Sequence, residues 1–207
     1  MRGLATKRKT ASARGAILPR DFYDRPTIDV ARDLLGKAIV YESPPGRMSA
    51  RIVEVEAYVG QASDPACHAA NGRTERNAVM FGRPGFAYIY FIYGMYHCLN
   101  FVTEREGFPA AVLLRAAEAI EGIDLMFQPG RPQQPDRLLS GPGKFCRAFG
   151  LTRDQNGLDL TGDRLYLMDH FDQKIVIAQS PRIGINKGQE HPWRFFDSQS
   201  TSVSKSR

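Results

Sequence analysis

The sequence predicts an α+β domain on a largely antiparallel sheet, from three observations. Strand-like and helix-like stretches are mixed without regular strand–helix alternation, and turn signals between neighbouring strand-like runs point to hairpin connections. Hydrophobic residues make up 43% of the chain and aromatics 10%, enough for a sizeable core. At 207 residues there is room for one compact domain with or without a tail, and none for a second catalytic domain.

Residues 21 to 36 read as an approach and a helix. Pro26 and Thr27 open it, Ile28, Ala31, Leu34 and Leu35 recur at helical spacing, and Gly36 stops it. Lys37 to Tyr41 reads as a strand, Pro44-Pro45-Gly46 as a turn, and Met48 to Val59 as a strand by composition and alternation. Gly60 to Gly85 is polar, weakly periodic and longer than most loops inside a domain, so a binding loop is expected there. Residues 86 to 102 hold the densest aromatic run, with a hairpin turn near Gly94. Ala111 to Arg115 reads as a strand, Ala117 to Phe127 as a helix, and 128 to 136 as a Pro/Gln-rich loop. Ser140 starts a helix whose apolar face carries Phe145, Ala148 and Phe149 and which Gly150 ends. Arg164 to Met168 and Ile175 to Ala178 complete the strands, and no repeat is visible.

The formal charge of +6 is unevenly placed. Arg2, Lys7, Arg8, Lys9, Arg14 and Arg20 fall in the first 20 residues, which hold no acid, and the remainder balances at 22 basic and 22 acidic residues. The excess therefore says little about the body of the protein. The basic segment suits a flexible leader, a polyanion-binding arm or a transit peptide. No run approaches the ~18 consecutive apolar residues of a membrane span, and no apolar stretch follows the basic start as in a secretory signal. A soluble, intracellular protein with no membrane partner is expected. Three cysteines, Cys67, Cys98 and Cys146, form no framework and fit a reducing compartment.

Alternation over 52 to 59 puts Val53, Val55, Ala57 and Val59 on one face and Ile52, Glu54, Glu56 and Tyr58 on the other. Two acids and a phenol on one face describe either a solvated strand face or a general base beside a long loop, and spacing does not choose. In the hairpin, Tyr88, Tyr90 and Tyr96 line the strands. Tyr93 stands at the turn, as core or as a wedge of the kind inserted by proteins that unstack bases. Cys67, His68, His97 and Cys98 lack metal-ligand spacing, and neighbours on a strand face opposite ways, so no metal site is expected. Gly141-Pro142-Gly143-Lys144 echoes a phosphate loop, but Phe145 stands where the magnesium-binding Ser or Thr belongs. Lys144 and Arg147 near a helix start leave either a phosphate clamp or a solvated helix end.

Six segments together resemble the alkyladenine (3-methyladenine) DNA glycosylase family: V-E-V-E-A-Y at 53 to 58, H-A-A-N-G-R at 68 to 73, R-N-x-x-M-F at 76 to 81, Y-I-Y-F-I-Y-G-M-Y at 88 to 96, V-L-L-R-A at 112 to 116 and G-P-G-K-F-C at 141 to 146. The resemblance runs in order from residue 20 to residue 196. Beyond it, only Ser202-Val203-Ser204 keeps part of the family's terminal pattern. It implies a single domain at 21 to 196 with a mostly antiparallel curved sheet, flanking helices and a protruding β-hairpin, between a flexible basic tail at 1 to 20 and a C-terminal tail at 197 to 207.

The implied activity is base-excision repair. A damaged purine, alkylated or deaminated, is flipped out of double-stranded DNA and its N-glycosidic bond hydrolysed, leaving an abasic site, with no metal and no cofactor. A monomer is expected, cytoplasmic at the nucleoid in a bacterium, nuclear or organellar in a eukaryote. On the same resemblance Glu56 is the base that activates water and Arg115 helps hold that site. Tyr58, His68 and Tyr90 wall the base pocket, Asn100 obstructs guanine's exocyclic amine, Tyr93 intercalates, and Arg73, Arg76 and Lys144 contact the DNA backbone. Two other readings stand beside it: a non-catalytic damaged-DNA module, which Glu56 and Arg115 argue against, and an RNA-binding protein with the aromatic hairpin as a stacking platform.

Overall fold

The computed structural model describes residues 15–60, 64–127, 134–169 and 174–204. Helices α1 (Arg20–Tyr23) and α2 (Thr27–Leu34) open the fold, and α2 turns Val30, Ala31 and Leu34 inward at helical spacing. The strands are β1 (Ala38–Ser43), β2 (Gly46–Val59), β3 (Ala87–Ile92), β4 (Tyr96–Val102), β5 (Ala110–Glu121), β6 (Leu165–Met168), β7 (Ile177–Ser180) and β8 (Arg194–Asp197). Among the described residues they form one antiparallel sheet in the order β3-β4-β5-β2-β1-β6, with β8 also laid on β2 and β7 on β8. The expected α+β class with a mostly antiparallel, curled sheet is what the chain adopts.

Strand β2 is the spine of the sheet. Its first half pairs with β1, from Ala38↔Arg51 to Ser43↔Gly46, and its second half pairs with β8 through Glu54↔Phe196 and Glu56↔Arg194. β5 runs along the other edge, with register shifts at Ser49/Ala50, Ile52/Glu54 and Glu54/Val55. Such bulges bend a strand and break its period of two. Ile52 accordingly joins Val55 and Ala57 in the main core instead of facing away with Glu54 and Glu56, correcting the simple alternation expected over 52 to 59. The face bearing the two acids is not solvated either, since Glu54 and Glu56 are fully buried.

The main core lies between the sheet and α2 and α5 (Pro142–Ala148), with Leu34, Ile52, Phe101 and Leu114 meeting Phe145 and Phe149, whose rings stack at 4.3 Å. Each such side chain contributes about 1.5–3 kcal/mol on burial. A second, smaller cluster gathers Cys67, Met80, Tyr88 and Ala111 beneath Tyr58 and Tyr90. It lies where the 64–81 segment folds back on the sheet, and this is the layer that forms the site.

Several expectations are corrected. β5 continues to Glu121 and only Ile123–Met126 (α3) is helical in the stretch read as a helix from 117. The ladder pairs Ala117 with Ile52 and Ala119 with Ala50, which overrides the weak helical preference of an alanine-rich run. Ser140 does not cap α5. Gly141 holds the cap position, and the Ser140 hydroxyl donates to the Val203 carbonyl. Part of the Pro/Gln-rich loop is helix α4 (Pro135–Leu138), while 128–133 lie outside the described residues. The strand read at 175 to 178 sits at Ile177–Ser180, and β8 was not anticipated.

Residues near both expected tail boundaries make contacts with the sheet and loops of the domain. Leu18 is buried and its N–H donates to the Leu167 carbonyl, and Arg20 pairs with Asp159. Residues 1–14 of the basic segment lie outside the described residues. At the other end Asp197, Ser202 and Ser204 are buried. The hairpin turns where Gly94 announced it: Ile92 pairs with Tyr96, and Tyr93 and Gly94 take φ values of 52° and 65°, positive as a primed hairpin turn requires. Tyr93 is 76% exposed and Met95 63%, so Tyr93 is not core. No helix among the described residues is long and apolar enough to cross a membrane.

Candidate active site

The period of two, applied to four strands in register, gathers the site. Tyr88 pairs with Asn100, Tyr90 with Cys98, Asn100 with Leu113, Glu56 with Leu113 and Tyr58 with Ala111. All of these share the sheet face opposite the main core. There all of them but Glu56 border a cavity of about 380 Å³, which His68, Met80, Tyr93, Ile183 and Gly184 also line.

Glu56 sits at the back of this cavity. Its Oε2 accepts from the Tyr58 hydroxyl at 2.9 Å and from Arg115 Nη1 at 3.2 Å, and its Oε1 accepts from the Ile183 N–H at 2.7 Å. Glu56 does not itself line the cavity, whereas the three groups that hold it do. A carboxylate oxygen has two lone pairs, so among the described residues Oε1 keeps one acceptor direction open.

Arg115 is shared. Its Nε donates to Glu54 Oε1 at 3.1 Å and its Nη2 to the Ser204 hydroxyl at 3.2 Å. Burial works to lower the Arg115 pKa, but the Glu56 and Glu54 charges outweigh it and the net direction is upward, so the guanidinium stays charged. Glu54 also accepts from Arg194 Nε at 2.6 Å and from both the N–H and the hydroxyl of Ser204, at 2.6 and 2.8 Å. Two acids and two arginines thus balance in a buried cluster, which lowers the penalty of enclosing charge.

The walls are neutral aromatics. Burial, then the adjacent Glu56 charge, lifts the Tyr58 phenol well above its ordinary pKa, and burial, then Cys98, does the same to Tyr90. His68 shares a 2.9 Å hydrogen bond between Nδ1 and the Tyr88 hydroxyl and meets the Tyr90 ring edge-on at 4.5 Å. Burial, with the Arg76 charge, lowers its pKa from 6.5 to about 4, so the imidazole is neutral at pH 7. Buried Asn77 fixes the loop that carries His68, donating from Nδ2 to the carbonyls of His68 and Gly72 and accepting from the Thr74 N–H. Asn100 is locked the same way, donating to the Tyr88 and Cys98 carbonyls.

Of the residues singled out in the sequence, Arg115, Tyr58, His68, Tyr90, Asn100 and Tyr93 border the one cavity and Glu56 stands behind it. Arg73, Arg76 and Lys144 are exposed around it. Arg76 lies over the Tyr90 ring at 5.1 Å, Arg73 over Phe81 at 6.0 Å, and Lys144 reaches the Arg137 carbonyl. Among the described residues no three His, Cys, Asp or Glu side chains converge as a metal site.

Asp64, Arg182, Ile183 and Arg194 were not singled out, and Glu54 and Ser204 were named without a site role of their own. Glu54 had a signal, its place two residues before Glu56 on the same face, and Ser204 had one in the terminal Ser-Val-Ser. The two arginines and the Ile183 N–H had none, because they reach the site from distant loops.

The chain matches the profile of the family described as methylpurine-DNA glycosylase over residues 21–201. A protein of Methanocella arvoryzae provisionally named 3-methyladenine DNA glycosylase is 53% identical over 195 residues, covering 91% of this chain and 96% of that protein. Proteins carrying the same name from the Wolbachia of Brugia malayi and from Alkaliphilus oremlandii are 50% identical over 179 residues and 44% over 200, covering 86% and 91% of this chain and 96% and 98% of theirs.

Proposed function

The chain belongs to the methylpurine-DNA glycosylase family, and from that premise we propose that it removes alkylated purines such as 3-methyladenine from duplex DNA with Glu56 as the base that activates water. It is a monofunctional DNA glycosylase: its substrate is DNA, and its reaction hydrolyses an N-glycosidic bond in base-excision repair.

The observation that carries the residue assignment is the Glu56 carboxylate, fully buried behind the cavity and held by Tyr58, Arg115 and Ile183. Cleavage of the bond leaves its electrons with the departing base and builds positive charge on the sugar. An ionised carboxylate stabilises that charge, and through the open direction of Oε1 it takes the proton of the attacking water. Arg115 holds the carboxylate in one orientation. Tyr58, His68 and Tyr90 offer faces and edges to the flipped base, and because His68 is neutral it does not repel a purine made cationic by alkylation. Asn100, unable to rotate while both carbonyls hold its amide, occupies the space a guanine amino group needs. Tyr93 fills the gap left in the duplex, and Arg73, Arg76 and Lys144 lie where phosphates pass. A non-catalytic binding module has no use for a buried acid held by a shared arginine.

The test uses labelled duplexes carrying a single hypoxanthine or methylated purine, incubated with the protein and then treated with alkali. Scission at the lesion, absent from undamaged duplex and lost in Glu56→Gln, is expected. Scission that persists in the variant removes Glu56 from the role.

A further inference from the structure

Behind the cavity lies an ion pair that the chemistry above does not use. Asp64 and Arg182 are both fully buried in their side chains and meet fork to fork, Nη1 to Oδ2 and Nη2 to Oδ1, each at 2.7 Å. The pair reaches into β2 from two sides. Asp64 accepts from the Val59 N–H, at the end of the strand, and Arg182 Nη1 donates to the carbonyl of Ala57, the residue between Glu56 and Tyr58.

The guanidinium also lies 4.6 Å from the centre of the Tyr58 ring and 5.1 Å from that of Trp193, which stacks in turn on His191 at 4.0 Å. Tyr58 is therefore backed by a charged plane fixed in two directions. The next residue along the chain, Ile183, puts its N–H on Glu56 Oε1. Arg182 Nη2 closes the far end of the same loop by donating to the Gly188 carbonyl, and a Cβ at Gly188 would stand 2.8 Å from that nitrogen.

Stability alone does not explain this arrangement. A buried ion pair is often no better for a fold than apolar residues of the same volume, and here Arg182 Nε is buried without a hydrogen-bond partner among the described residues. What a bidentate fork supplies is geometry. We propose that the Asp64–Arg182 pair is the positioning device of the excision centre. It sets Tyr58 as a wall of the base pocket and the Ile183 N–H on Glu56, and it governs the excision step rather than attachment to DNA. The inference rests on the glycosylase reading of this site.

The charged and titratable groups that face Glu56 are Tyr58 on its own strand, Arg115 on β5 with Glu54 behind it, Cys98 on β4, and Arg182 through Tyr58. Losing the Ile183 N–H while the others stay removes one of the three hydrogen bonds that orient the Glu56 carboxyl group.

The test compares full-length Arg182→Lys and Asp64→Asn with the parent protein. Arg182→Lys keeps the charge but loses the fork and the stacked plane. Single-turnover excision is expected to fall by about tenfold or more. Binding to a duplex carrying a tetrahydrofuran abasic analogue, which places no base against Tyr58, is expected to stay within about threefold. Parental excision in Arg182→Lys overturns the proposal, as does parallel loss of excision, abasic-analogue binding and thermal midpoint, or failure of both variants to fold. Glu56→Gln separates the two levels. If it abolishes excision while Arg182→Lys is fully active, only the positioning role falls; if it remains active, the glycosylase assignment of the site falls with it.

Discussion

The backbone N–H of Ser204 donates to Glu54 Oε2 over 2.6 Å, although 150 residues separate the two along the chain. With its hydroxyl also on Oε1, Ser204 satisfies half of a carboxylate whose other partners are Arg115 and Arg194. The end of the described chain is thereby tied to the arginine that holds Glu56.

Removing residues 202 to 207 is expected to lower stability by about 1–3 kcal/mol, because Glu54 stays buried and loses two donors. Ser204→Ala, which removes only the hydroxyl, should cost about 1 kcal/mol. Urea denaturation measures both, and a truncation with the parental midpoint would show that Ser204 does not support Glu54.

Glu56→Gln keeps the volume of the side chain and its acceptor oxygen but removes the base. Lesion binding should persist while single-turnover excision falls by about 10²-fold or more. Excision within a few-fold of the parent protein would clear Glu56 of the catalytic role.

Tyr93 combines 76% exposure with a φ of 52°, a conformation that costs a non-glycine residue about 1–3 kcal/mol. Tyr93→Gly should therefore leave the thermal midpoint unchanged or raise it, where truncating a core aromatic would cost ~3 kcal/mol or more. The loss should appear instead as slower excision from fully paired duplex, with part of the rate recovered when the lesion sits in a mismatch. Equal loss on paired and mismatched substrates would argue against a wedge.

His68 should titrate near pH 4 in the folded protein, against 6.5 unperturbed. Above the unfolded pKa both states are neutral. As pH falls from there towards 4 only the unfolded chain takes the proton, so the histidine's effect on stability worsens across that window and levels off below it. Excision of a cationic lesion should show no His68 limb between about pH 5 and 8, where an unperturbed histidine changes charge. Ring titration by NMR with a midpoint near 6.5 would remove this account.

Much of the site was legible without coordinates, because strand periodicity and turn chemistry act over a few residues. Gly94 marks the hairpin, Tyr88 and Tyr90 share a face, and Glu56 stands two residues from Tyr58 whatever the rest of the chain does. The order of the motifs carried the family. Local rules failed where a partner from elsewhere in the chain decided the outcome. β5 runs through a helix-prone alanine stretch because β2 pairs with it, and the β2 bulges move Ile52 to the core face while Glu54 and Glu56 stay on the other. Burial decided the rest. The same two acids read as a solvated face or as a general base beside a long loop until β8, the 182–188 segment and Ser204 close over them, and hydrogen bonds such as Ile183 to Glu56 and the Asp64–Arg182 fork join segments with no periodic relation to one another. Period and turn type are properties of neighbouring residues, whereas desolvation and charge pairing belong to whatever the folded chain brings within a few ångströms.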